Sequence, residues 1–231
     1  MKFKNVLITL FWICIWIVDN SNYISLRSKV LDIKDFINLN FFLDTYMGIY
    51  LLTYLFIFYA SNEMKGINYC QLIRFGKKGY ILNLFKTNLV HVLTYTGIYT
   101  FVTLFLNCVF VSKGLVFAKN FILFIVFQLF SITIYLAFVA IMGILFWVLC
   151  RFAKLSLWLT AITMTLLCYL PIGPLGSFNI FEGVSLIKNG ISDLNILIHY
   201  IVYLIIITLL LFVSIITFKN KDIVEINKNE K

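Results

Sequence analysis

The residues best equipped for chemistry are cations gathered in one stretch, Asn62–Asn88, NEMKGINYCQLIRFGKKGYILNLFKTN. Lys65, Arg74, Lys77, Lys78 and Lys86 stand there against a single acid, Glu63. Ammonium and guanidinium groups at this density suit two tasks: pairing with acids on a protein partner, or holding anionic lipid headgroups. Tyr69, Leu72, Ile73 and Phe75 are interleaved among them. Such side chains bury in a docking groove or in an interface. Two further sets are polar but uncharged. Thr96, Thr100, Thr103 and Asn107 recur at i, i+4, i+7 and i+11, and Ser156, Thr160 and Thr163 share a second helix face. In lipid, such stripes turn toward water or neighbouring helices, so they are candidates for a polar path or for helix–helix packing.

Bond-making chemistry is harder to find. FGKKG has the wrong upstream residue for a phosphate-binding loop and lacks its Ser or Thr, so the chain is not expected to hydrolyse ATP itself. H-E-x-x-H, G-x-S-x-G and C-x-x-C are absent. The two histidines, His91 and His199, fall on different predicted spans and read as packing residues. Cys14, Cys70, Cys108, Cys150 and Cys168 show no paired spacing and read as small buried hydrophobes. No acid lies inside a predicted span away from its ends, whereas ion-coupled carriers keep one near the midplane. Neither an enzyme nor a self-powered carrier is expected, and no catalytic, cofactor-binding or metal-ligating residue is assigned.

The elements that position these residues must sit in lipid. Of 231 residues, 62% are hydrophobic and only 13% charged. A soluble domain carries about 25% charged residues, so this chain cannot cover itself for water alone. The expected fold is an all-α integral membrane protein, one transmembrane domain with six spans at about 5–24, 46–61, 84–111, 120–150, 155–170 and 196–218. The first is read as retained, because VDNSNY after it lacks an A-x-A cleavage site. Asp19–Asp44 forms a mixed-charge loop, with a short interfacial helix in DIKDFINLNFFLD. Tyr46, Tyr50 and Tyr54 share one face of the second span. Residues 62–83 form a cytosolic loop and 219–231 a cytosolic tail. The fourth span outruns the bilayer and must tilt, kink near Gly143 or extend past the membrane. Pro171 and Pro174, with Gly173, Gly176, Gly183 and Gly190, break the chain into a re-entrant segment between spans five and six.

Charge sets the orientation. With the N-terminus in the cytoplasm, Lys2, Lys4, the five cations of the basic stretch, Arg151, Lys154, Lys219, Lys221, Lys228 and Lys231 all lie inside. Those 13 cations accompany four acids; six cations and six acids lie outside, so the whole +9 falls on the cytoplasmic side. The bias favours both termini in the cytoplasm. It also argues against nucleic acid as a partner, since the charge is distributed by topology rather than gathered on one binding face.

With these features together, the chain resembles the membrane subunit of an ABC-2-type ABC transporter, in its small bacterial six-span form. The basic stretch is similar to the family's cytosolic segment, where an acid and a glycine precede an R-x-G-basic-basic turn and a later lysine enters the third span. Here those are Glu63, Gly66, Arg74, Gly76, Lys77, Lys78 and Lys86. The Pro/Gly-broken outer segment and the ending FKNKDI, Phe218–Ile223, fit the same pattern. The leader Met1–Asn5 is shorter than the elbow helix of larger relatives.

The resemblance implies a permease subunit of the bacterial cytoplasmic membrane, most similar to those for bacteriocin or lantibiotic export and immunity. It implies that two such subunits pair and that ATP is bound by separate ATP-binding subunits. A short helix in the basic loop would dock in a groove on each ATPase. The exported compound would be a peptide or another amphipathic molecule. The alternative is a non-transporting immunity or accessory protein that binds a peptide or a membrane partner, for which the basic loop is a topology signal alone.

Overall fold

In lipid, a backbone must satisfy its own hydrogen bonds, which leaves helices as the available form for single apolar segments. The computed structural model describes residues 2–20, 46–60, 69–110, 116–117, 119–150, 152–169 and 194–220. Among them every regular element is helical and none is a strand. The helices are α1 (Lys2–Asp19), α2 (Tyr46–Ala60), α3 (Tyr69–Phe110), α4 (Lys119–Cys150), α5 (Ala153–Tyr169) and α6 (Leu194–Lys219). Within α3, α4 and α6, the stretches Tyr69–Phe110, Phe121–Cys150 and Tyr200–Lys219 are long and apolar enough to cross a membrane. The apolar parts of α1, α2 and α5 are shorter. These are the lengths and compositions of a helical membrane protein.

Asp19, expected to open the mixed-charge loop, is the last residue of α1; the loop beyond Asn20, the interfacial helix, Glu63, Lys65, Gly66, Arg151, the re-entrant segment before Leu194 and the residues beyond 220 lie outside the described residues. The first helix closes at Asn20, whose backbone N–H and side-chain amide both donate to the Trp16 carbonyl at 2.9 Å. Residues 69–83, expected as loop, are helical, with one interruption at Gly76. Lysine and arginine are good helix formers, so a basic composition alone does not end a helix.

The chain divides into two compact units. The first takes Met1–Leu51, Leu93–Thr133 and Asn179–Tyr200. In it α1 packs by aromatic edges: Trp12 meets Tyr99 at 4.7 Å and Tyr95 at 6.0 Å between ring centroids. Trp16 lies 5.7 Å from Phe110. Edge-on pairs of this kind bring the positive ring edge to the negative face of its neighbour. Gln128 of α4 donates to the Tyr99 hydroxyl at 3.3 Å, and Ser131 shares a hydrogen bond with Tyr200 of α6 at 2.8 Å.

The second unit takes Leu52–Val92, Ile134–Phe178 and Ile201–Lys231. Here Thr53 of α2 and Tyr135 of α4 share a buried hydrogen bond of 2.7 Å. Tyr59 meets His91 edge-on at 5.6 Å, and Phe138 meets Tyr203 likewise at 5.6 Å. The basic segment belongs to this unit.

Candidate functional site: the basic break in the third helix

The site begins with a short helical piece, Tyr69–Phe75, that leads into Gly76. Gly76 adopts φ 66°, ψ 172°. This region is open to glycine and strained for any residue with a Cβ, at about 1–3 kcal/mol. A Cβ at Gly76 would meet nothing within 4 Å, so the requirement comes from the backbone and not from crowding. Gly79 is needed for a different reason. A Cβ there would lie 3.0 Å from the Phe75 Cβ, because the break swings Phe75 back over the first turn of the continuing helix. The two glycines bracket Lys77 and Lys78 and set the direction from which the short piece arrives.

Only Leu72 of the short piece faces inward, at 5% exposure. Ile73 is 84% exposed, and Tyr69 and Phe75 are exposed as well. Arg74 is exposed and places its guanidinium 5.4 Å from the Phe75 ring centroid, a cation–π contact that holds charge and ring together. The piece therefore presents an isoleucine, an aromatic pair and a cation outward at once.

Immediately after the break the chain is tied down. Lys77 donates from Nζ to the backbone carbonyl of Lys219 at 3.0 Å. That carbonyl ends α6, where the last turn lacks intrahelical donors and carries the negative end of the helix dipole. Three residues on, Tyr80 stacks on Phe218 at 5.9 Å and meets Trp147 at 6.3 Å; Trp147 and Phe218 are 6.0 Å apart. All three rings are buried. The cap and the ring triad fasten the start of the continuing helix to the ends of α4 and α6. Ile81 and Leu84 extend the buried seam, and Asn88, fully buried, donates to the Leu84 carbonyl at 2.9 Å.

Charge is one-sided here. The described residues of this unit include Arg74, Lys77, Lys78, Lys86, Lys154 and Lys219 and no carboxylate. Cations gathered in this way draw anions toward the segment.

Of the remaining candidates, Thr96, Thr103 and Asn107 are buried and Thr100 half-buried, all in the first unit. Ser156 and Thr160 are buried and Thr163 half-buried, in the second. Thr100 and Thr103 donate to the carbonyls of Thr96 and Tyr99 at 2.9 Å, and Thr160 to that of Ser156 at 2.7 Å. Ser156 donates to Ala153 at 2.8 Å. Hydroxyls turned onto their own helix in this way are quiet inside a packed interior. Among the hydrogen bonds that cross between helices are those of Tyr99, Tyr200 and Thr53, whose roles the sequence did not signal. Their α4 partners Gln128, Ser131 and Tyr135 lie on one side of the predicted fourth span, and that spacing was the available clue. No family model matches the chain, and no curated protein or solved structure matches it.

Proposed function

We propose that the chain is the membrane-spanning permease subunit of an ATP-driven ABC transporter of the ABC-2 type. In this reading six spans cross the bacterial cytoplasmic membrane with both termini inside, and the Pro/Gly segment re-enters from the outer face. Two permease subunits pair, two separate ATP-binding subunits dock on the cytoplasmic side, and the complex exports a peptide or another amphipathic compound.

The observation that carries the reading is the construction of the basic segment. A short helix with Ile73 and Arg74 outward is separated by the Gly76 break from a helix clamped to α4 and α6. A topology signal needs only positive charge; it needs neither the break nor the clamp. A coupling element needs both. The outward face docks on the motor, the break sets its angle, and the clamp passes displacement into the helices instead of letting it dissipate in a loose loop. Bistable helix packing then converts a small push into a change of arrangement.

The test is a gentle-detergent pull-down of the tagged chain from its native membrane, beside an Ile73→Asp/Arg74→Glu variant. Both positions are exposed, so the variant should insert and accumulate normally. The expected result is a stoichiometric ATP-binding subunit with the native chain, reduced at least about tenfold in the variant, as for loss of a central apolar contact and a charge pair. Recovery of intact protein with no ATPase would favour the accessory or immunity reading.

A further inference from the structure

Past the break, Lys78, Leu82, Lys86 and Val90 follow one another at i, i+4, i+8 and i+12 on α3. They form a slanting strip within about a third of the helix circumference, and all four are exposed. Lys78 and Lys86 are about 12 Å apart along the helix axis, with Leu82 between them. Long lysine stems lie along apolar surface while their ammonium heads reach for anions. We propose that this face of α3 is a binding site for an anionic phospholipid. The ammonium groups of Lys78 and Lys86 hold the headgroup, their stems lie along Leu82, and Val90 receives the first carbons of an acyl chain.

The inference rests on α3 crossing the membrane, and it is separate from the docking role of Ile73 and Arg74. Three observations favour a lipid over an acidic protein surface. Cations and large apolar groups alternate along the face, so a carboxylate-rich partner would satisfy the lysines and leave Leu82 and Val90 in water. The helix that carries the face is itself long and apolar enough to cross a membrane. The described residues of the unit hold no carboxylate that could neutralise the pair from within. Anionic headgroups are the anions a membrane supplies at such a boundary.

The experiment uses the full chain purified in mild detergent, titrated with phosphatidylglycerol or phosphatidylcholine, with retained lipid counted by native mass spectrometry. The native chain is expected to retain phosphatidylglycerol preferentially, and less so as salt is raised. Lys78→Gln/Lys86→Gln should lower that preference on the order of fivefold per lysine. Lys78→Arg/Lys86→Arg should keep it, and so should Lys154→Gln. Equal retention of the two lipids by the native chain, or indifference of its preference to salt, would overturn the proposal without any variant. A glutamine variant that kept the preference would overturn it too, since the lysines would then not be what holds the lipid. The titration contains no ATPase, so its failure leaves the pull-down result untouched, and the converse holds.

Discussion

Two of the most apolar helices, α4 and α6, occupy opposite situations. In α4, 72% of the most apolar window is buried inside the protein; in α6 the figure is 22%. Every residue from Tyr135 to Ile141 is buried, two full turns with no free side. On α6 burial follows one narrow seam, Tyr200, Tyr203, Ile207, Ser214 and Phe218. The difference does not come from apolarity, since both helices pass as candidate spans. It follows the distribution of small residues. Ser131, Ala137, Ala140 and Gly143 are buried on α4 and let neighbours approach closely, whereas α6 carries neither Ala nor Gly and one serine, Ser214, which is buried. Apolarity decides which solvent a helix tolerates; small side chains decide how many neighbours it can take.

The sharpest way to break this comparison is to make the same deletion on both helices. Phe124 of α4 is 1% exposed and Phe212 of α6 is 62% exposed. Phe124→Ala should cost about 3 kcal/mol through the cavity it leaves. Phe212→Ala should stay within about 0.5 kcal/mol. Thermal unfolding of the purified variants in detergent measures both, and equal losses would end the distinction. Adding volume is the next test. Ala140→Leu on α4 should cost about 1–3 kcal/mol by overpacking and lower the yield of monodisperse protein, while Ile205→Phe on the exposed face of α6 should not. The smallest effect concerns polar ties. Ser131→Ala removes the hydrogen bond to Tyr200 and should cost about 0.6 kcal/mol. Thr208→Val on α6 removes only a bond to the Leu204 carbonyl of its own helix and should cost close to nothing. A double-mutant cycle with Tyr200→Phe isolates the first term, and zero coupling would show that Ser131 is spectator to the packing.

The helices themselves were legible, because long apolar runs with few prolines have one available form in lipid. Their ends were less so. The basic segment read as loop from its polarity, yet Tyr69 onward is helical and only Gly76 interrupts it. The R-x-G-basic-basic pattern marked that glycine, but its positive φ belongs to the folded chain. The seat of the segment was not legible at all. Lys77 reads as a cation for a partner or a headgroup, and nothing local in the sequence couples it to Lys219 or Tyr80 to Phe218. Of the polar stripes, Thr100, Thr103, Ser156 and Thr160 bond along their own helices, which spacing alone does not reveal. The unequal burial of α4 and α6 escaped hydropathy because hydropathy does not distinguish lipid from protein as an apolar neighbour.

The contact between Lys77 and Lys219 spans 142 positions of the chain. Chains are made from the N-terminus, and early segments begin to fold before later ones exist. When the ribosome has finished the break at Gly76, the anchors Trp147 and Phe218 have not been synthesised. The basic segment therefore waits through the rest of α3 and through α4, α5 and α6 for its seat. A chain halted just before Phe218 would hold most of its apolar length and still lack the ring on which Tyr80 stacks. The seating of a segment early in the chain is thus decided by a residue made 142 positions later.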